Sequence, residues 1–216
     1  MSCHDGPVPK IIGASLAEHR SNVRARLFGA LSQLMEQSGF DAIGLADIAK
    51  SAGVGRTSVY NHFPDKETLL IGFIEHETSN FVAELNAALE DVQDPQEQLR
   101  VYVREQIQLK RTYHLAPGPD LRSVVSRATL LRLRDHVTQV EEVLRGILTT
   151  GIAQGRLPRQ DLDAVVPLIN SCLSSRTVPE DGPERDRAIA ATEAFVMRAV
   201  GIPENVVAAE ELLARR

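Results

Sequence analysis

The stretch Leu45-Ala-Asp-Ile-Ala-Lys-Ser-Ala-Gly-Val-Gly-Arg-Thr-Ser-Val-Tyr-Asn-His-Phe-Pro-Asp-Lys-Glu67 decides how this chain folds. Leu45, Ile48, Ala49 and Ala52 share one face of a short helix, which Gly53 ends because glycine enters the left-handed conformation without a Cβ penalty. Thr57 to His62 make a second short helix that Pro64 closes. Ala49 is small enough to let the two helices cross closely, and Val54, Val59 and Phe63 pin the second against the first. The rest of that second helix is a polar set: Arg56, Thr57, Ser58, Tyr60, Asn61 and His62. The pair reads as a helix-turn-helix that offers those groups to the major groove of double-stranded DNA.

Helical spacing extends in both directions. Upstream, Val23, Leu27, Leu31, Leu34 and Met35 mark a helix from Ser21 that Gly39 stops, and Gly6, Pro7 and Pro9 precede it in a stretch without periodicity. Downstream, Asp65 caps a long helix with Glu67 in its first turn and Leu70, Ile74, Phe81 and Leu85 along one side, ending near Asp94-Pro95. Leu99, Val103 and Ile107 mark the next helix, which a Pro117-Gly118-Pro119 loop interrupts. Leu130 to Gln154 is the longest periodic run, ended by Gly155 and Pro158. Two more helices are expected over Asp161 to Arg176 and Pro183 to Val200, and a short last one from Asn205. With no alternating strand pattern, the expected fold is all-α. It comprises a flexible tail over 1–18, a three-helix helix-turn-helix domain over 19–65 and a helical bundle over 66–216.

Composition narrows the function. Aromatic residues are only 4% and Trp is absent, so the core must be built from Leu, Val, Ile and Ala. The net charge of −5 excludes a broad basic surface that coats nucleic acid. Residues 1–76 hold seven Lys/Arg against eight Asp/Glu, so DNA contacts must come from placed groups such as Arg56 and Lys66. No run resembles a secretion signal or a membrane span, which points to a cytoplasmic protein without a membrane partner. Cys3 and Cys172 are too far apart in character and sequence to predict a disulfide, and Cys172 reads as a small buried hydrophobe. His4, His19, His62, His76, His114 and His136 show no metal spacing, and no nucleophile elbow, phosphate loop or carboxylate pair is evident. An enzyme is therefore not expected, nor a metal or cofactor.

Phosphate contacts position a protein on DNA, whereas contacts to base edges carry sequence information. Arg56, Tyr60, His62 and Lys66 suit phosphates; Thr57, Ser58 and Asn61 suit base edges through hydroxyl and amide hydrogen bonds. One such helix reads too few base pairs for useful affinity, so a dimer with two helices ~34 Å apart is expected.

Residues Gly44 to Leu70 resemble the DNA-binding signature of the tetracycline-repressor (TetR) family. The resemblance rests on Ile48-Ala49, Ala52-Gly53-Val54, Tyr60, Phe63 and Lys66-Glu67 in the family's spacing. It implies DNA contacts at Arg56, Thr57, Ser58, Tyr60, Asn61, His62 and Lys66, the polar set already reached. Gly44 stands where many relatives have a capping Thr, and Thr57 where relatives often have Gly. The resemblance further implies a homodimer joined through the two helices from Asp161 and Pro183, and repression at a palindromic operator. It also implies a small-molecule effector in the helical domain over 66–216, which would favour a state whose fourth helix holds the two heads at the wrong spacing. For that effector, an aliphatic or anionic molecule, the candidate residues are Tyr102, Gln106, Tyr113, His114, Arg127 and Asn170, polar groups on or beside apolar helix faces. The alternative is a DNA-binding regulator without a small-molecule ligand, acting through a protein partner.

Overall fold

The computed structural model describes residues 13–113, 125–175, 178–179 and 181–202. Eight α-helices occur among them: α1 (Gly13–Gln37), α2 (Leu45–Ala52), α3 (Arg56–His62), α4 (Lys66–Leu89), α5 (Pro95–Tyr113), α6 (Arg127–Ala153), α7 (Leu162–Ser175) and α8 (Gly182–Ala199). A 3-10 turn, Phe40–Ala42, leads into α2, and the described residues contain no strand, so the all-α expectation holds. The helix expected from Asn205 and the loop at Pro117-Gly118-Pro119 lie outside the described residues.

The helix-turn-helix boundaries follow the backbone chemistry. Gly53 closes α2 at φ +59°, and the Val54 N–H reaches back to the Ala49 carbonyl at 2.9 Å, the Schellman pattern that satisfies carbonyls at a helix end. Asp65 caps α4 by accepting the Thr68 N–H at 2.6 Å. Two boundaries differ from expectation. The first helix begins at Gly13 instead of Ser21, so residues 13–18 of the expected tail are helical. The segment from Leu16 to Asn22 is solvent-exposed and carries no apolar stripe to reveal it. Helix α4 stops at Leu89, ahead of the Asp94-Pro95 break.

Two compact units result, and the division falls inside α4, between Phe73 and Ile74, rather than at the helix start. The first contains α1 to α3, the first turns of α4, and Val125 with Ser126. Its core is Leu27, Phe28, Leu31, Ile48, Val59, Phe63, Leu69 and Leu70, all buried. The start of α4 belongs here because Gly72 lies against the Phe63 and Phe28 rings, where a Cβ would come within 3.0 Å of Phe63. The Glu67 carboxylate accepts hydrogen bonds from the Ser126 hydroxyl at 2.7 Å and the Ser126 N–H at 3.2 Å, tying the residues before α6 to this unit.

In the second unit α5 packs against α6, α7 and α8 around an aliphatic core that includes Leu99, Leu144, Leu148, Val166 and Met197. Among the described residues one buried charge lies beside it. Glu193 on α8 is 7% exposed and accepts from Arg104 Nε at 3.0 Å, Arg104 Nη2 at 2.8 Å and Arg100 Nη1 at 3.3 Å, so its carboxylate is not buried unpaired. Helix α7 continues through Pro167, whose missing N–H leaves a carbonyl one turn back without its helical partner; Pro167 and Asp163 are exposed, where water can serve that carbonyl. No described helix is long and apolar enough to cross a membrane.

Candidate nucleic-acid interface

Helix α3 separates its residues cleanly. Val59 is buried and the following Phe63 is 2% exposed, while Arg56, Thr57, Tyr60 and Asn61 face solvent and Ser58 and His62 are half-buried. The buried side anchors the helix on α1 and α4 through tilted aromatic pairs, Phe28 with Phe63 at 5.7 Å and Phe28 with Phe73 at 6.0 Å between ring centroids. The exposed side holds hydroxyls, an amide and a guanidinium, the donors and acceptors that base edges and phosphates require.

The turn before α3 is held by a residue that the local pattern does not reveal. Arg26 of α1 donates through Nη2 to the Ala52 and Gly53 carbonyls at 2.6 and 2.7 Å. A Cβ on Gly53 would lie 2.9 Å from that nitrogen, in a backbone conformation already unfavourable for alanine. Gly53→Ala is therefore expected to cost about 1–2 kcal/mol, from left-handed strain plus displacement of Arg26. A thermal melt followed by circular dichroism checks this, and an unchanged midpoint would mean that the turn does not need Gly53.

Lys66 differs from the other predicted contacts. Its Nζ donates to the Phe40 and Asp41 carbonyls at 2.9 and 3.2 Å and sits 4.5 Å from the centre of the Phe40 ring. Much of its hydrogen-bonding capacity thus fixes the turn ahead of α2. Gly44 caps α2 without a side chain, and Asp47 closes the helix start by accepting the Gly44 N–H at 3.0 Å.

His62 sits in positive company. Burial first, then the charges of Arg20, Arg24 and His19, push its imidazole below the ordinary value, which favours the neutral ring. Arg24 itself lies 5.1 Å from the Phe63 ring centre and 5.5 Å from that of Phe28, a cation stacked over the aromatic anchor of the head. The α1 cations were absent from the expected contacts. Their only sequence signal is the i, i+4 spacing of Arg20 and Arg24, which reveals a shared helix face but not its neighbour.

The residues expected to meet a small molecule divide. Tyr102, Gln106 and Asn170 come together inside the second unit: the Tyr102 hydroxyl donates to Asn170 Oδ1 at 2.6 Å, and Gln106 Nε2 donates to the Tyr102 oxygen at 2.9 Å. Arg127 is exposed at the start of α6 and is not part of that network. The Tyr113 side chain and His114 lie outside the described residues.

Comparison with known proteins agrees with this architecture. The family model described as bacterial regulatory proteins, tetR family, matches residues 27–72. Over 138 residues, 60% of this chain and 68% of the relative, the chain is 30% identical to the nucleoid occlusion factor SlmA of Vibrio campbellii. It is 25% identical over 146 residues to the fatty acid metabolism regulator protein of Bacillus subtilis, covering 64% of this chain and 72% of that protein. Among solved structures, the transcriptional regulator FadR from Bacillus subtilis in complex with stearoyl-CoA superposes with a TM-score of 0.69 at 18% identity, over 83% of this chain and 99% of that one. That likeness concerns the fold.

Proposed function

Because this chain belongs to the tetR family of DNA-binding transcriptional regulators, which are not enzymes, we propose that it is a cytoplasmic repressor that binds a palindromic operator as a homodimer and leaves it when a small-molecule effector occupies the helical unit. The observation that carries the reading is the exposed polar face of α3 behind a buried Val59 and Phe63. In this reading Arg56 and Tyr60 hold phosphates, His62 adds one neutral hydrogen bond, and Thr57, Ser58 and Asn61 read bases, with Gly44 close to the backbone. Lys66 contributes the charge left after its two carbonyl contacts.

Homodimerisation is supported by two apolar stripes. On α7, Ala164, Pro167 and Leu168 are exposed, and on α8, Ala191, Phe195 and Ala199 are exposed at i, i+4 spacing. Leu168 at 68% and Phe195 at 53% exposure are too large and too apolar to be left in water without cost. Population of two states by a ligand that binds them unequally then supplies the regulation.

The test is a titration of the purified chain on the DNA flanking its own gene, at two salt concentrations and against a scrambled competitor. Specific, salt-sensitive binding with two chains per site is expected; binding that does not discriminate from the competitor would overturn the reading. Within that assay Asn61→Ala should lower discrimination between operator variants by about 1–3 kcal/mol. Lys66→Ala should weaken all sequences alike, flatten the salt slope and also lower the melting temperature, because it frees the Phe40 and Asp41 carbonyls. The opposite assignment of effects would reverse the two roles. A second reading, regulation through a protein partner without a small molecule, is favoured by the relative named as a nucleoid occlusion factor. It predicts operator binding that no small molecule releases.

A further inference from the structure

We propose that Tyr102, Gln106 and Asn170 form a recognition site for a ligand with an apolar body and an uncharged carbonyl oxygen, which Asn170 Nδ2 binds. The proposal rests on the reading that the helical unit houses an effector and names the chemistry of that effector. Tyr102 is fully buried on α5, Gln106 lies one turn further along the same face, and Asn170 faces them from α7 at 9% exposure. The orientation of the Asn170 amide goes with that of Gln106, whose Nε2 faces the phenol oxygen. Tyr102 has one proton to give, and its oxygen already receives one from Gln106. Turning the amide would confront the hydroxyl with two donors and leave its proton without an acceptor. Asn170 Oδ1 therefore faces Tyr102, and Nδ2 is left enclosed with no hydrogen-bond partner.

A buried amide donor without an acceptor is costly, and native interiors supply one. The flanking surface is apolar, with Leu99 and Val103 beside Tyr102 in the helix and Val166, Ile169 and Leu173 around Asn170. An acceptor that arrives on an apolar body satisfies both features. The acceptor is uncharged because every member of the network is neutral and set among apolar side chains; burial first, and the Glu141 carboxylate last, push the Tyr102 phenol up, against the two hydrogen bonds with Gln106 and Asn170. An incoming carboxylate would meet that negative charge without a compensating cation in the network. Amide, ester, thioester and ketone carbonyls share the chemistry required, and of the aliphatic and anionic molecules expected from sequence only the first kind fits.

The experiment is calorimetric titration of the full-length chain with four probes of one chain length: octanamide, methyl octanoate, octanoate and 1-chlorooctane. The two neutral carbonyl compounds should bind at least tenfold more tightly than octanoate or 1-chlorooctane, and Asn170→Leu should erase that preference. The wild-type probe series stands by itself should the variant fold poorly. Equal binding of the four, preference for octanoate, persistence of the carbonyl preference in Asn170→Leu, or no binding of any probe would overturn the proposal; the last would mean that Nδ2 meets water alone. Operator binding separates this outcome from the wider reading. An effector of another class that releases DNA leaves the repressor standing while this site falls, and carbonyl binding by a chain that ignores operator DNA does the reverse.

Discussion

Phe63→Ala is expected to abolish DNA binding by unfolding the reading head. The side chain is 2% exposed, pairs with Phe28 and lies under the Arg24 guanidinium, and its ring is the nearest neighbour of Gly72 on α4. Truncation to alanine removes the transfer free energy of the ring and leaves a cavity where α1, α3 and α4 meet, a cost of about 3–5 kcal/mol. Whole proteins are stable by only about 5–15 kcal/mol, and a small unit has less to lose. The loss should appear as an early transition in a thermal melt and as the absence of operator binding at every salt concentration. Phe63→Leu, which leaves a smaller cavity than alanine, should retain part of both. A Phe63→Ala chain that melts with the wild type and still binds would show that the anchor lies elsewhere.

What could be read from the sequence, and what could not, follows from the range of the interactions concerned. The ends of α2 and the start of α4 were legible because Gly53, Pro64 and Asp65 act through their own backbone or through a neighbour three residues away. The polar set on α3 was legible for the same reason: helical spacing alone places Val59 inside and Arg56, Tyr60 and Asn61 outside. The first turns of α1 were not, since a helix that buries nothing there carries no hydrophobic period. Arg26 holding the turn at Gly53, Lys66 holding Phe40 and Asp41, and Glu193 holding Arg100 and Arg104 all join residues 25 or more apart, where a single sequence has no signal. In the bundle, Tyr102, Gln106 and Asn170 could be singled out as polar residues on apolar faces, but only the packing of α5 on α7 brings them to one place.

The same distinction explains how a chain of net charge −5 can approach DNA. The head has no excess of basic residues in sequence. Folding brings His19, Arg20 and Arg24 of α1 near His62 at the end of α3, and burial first, then these charges, lower the imidazole. With the ring neutral, the cost of bringing a further positive charge into the cluster is avoided, and in the proposed complex the guanidinium groups are the charged partners for phosphate. Salt dependence should therefore track the arginines of α1 and α3 more closely than His62.

Leu168→Glu is expected to leave the proposed homodimer as a monomer and, through that, to cost more operator affinity than any single substitution on α3 apart from those that unfold it. In a two-fold interface each residue counts twice, so one substitution removes two leucines and places two carboxylates on facing surfaces. Burying a leucine contributes about 1.5–3 kcal/mol, and losing two corresponds to roughly a hundredfold to ten-thousandfold weaker association before the carboxylates are counted. Desolvating those charges adds to the loss. Within one chain Leu168 is 68% exposed and packs on little, so the helical content and the core around Val166 and Ile169 should survive. Phe195→Glu on α8 should act in the same direction, at 53% exposure. A monomer holds one reading head, and the affinity gained by tethering a second head disappears with the partner. Analytical ultracentrifugation and an operator titration on the same sample separate the possibilities. Loss of both dimer and affinity places the two-fold seam on α7 and α8, whereas a Leu168→Glu chain that remains dimeric at wild-type concentration would move the seam to another face and leave these stripes without a partner.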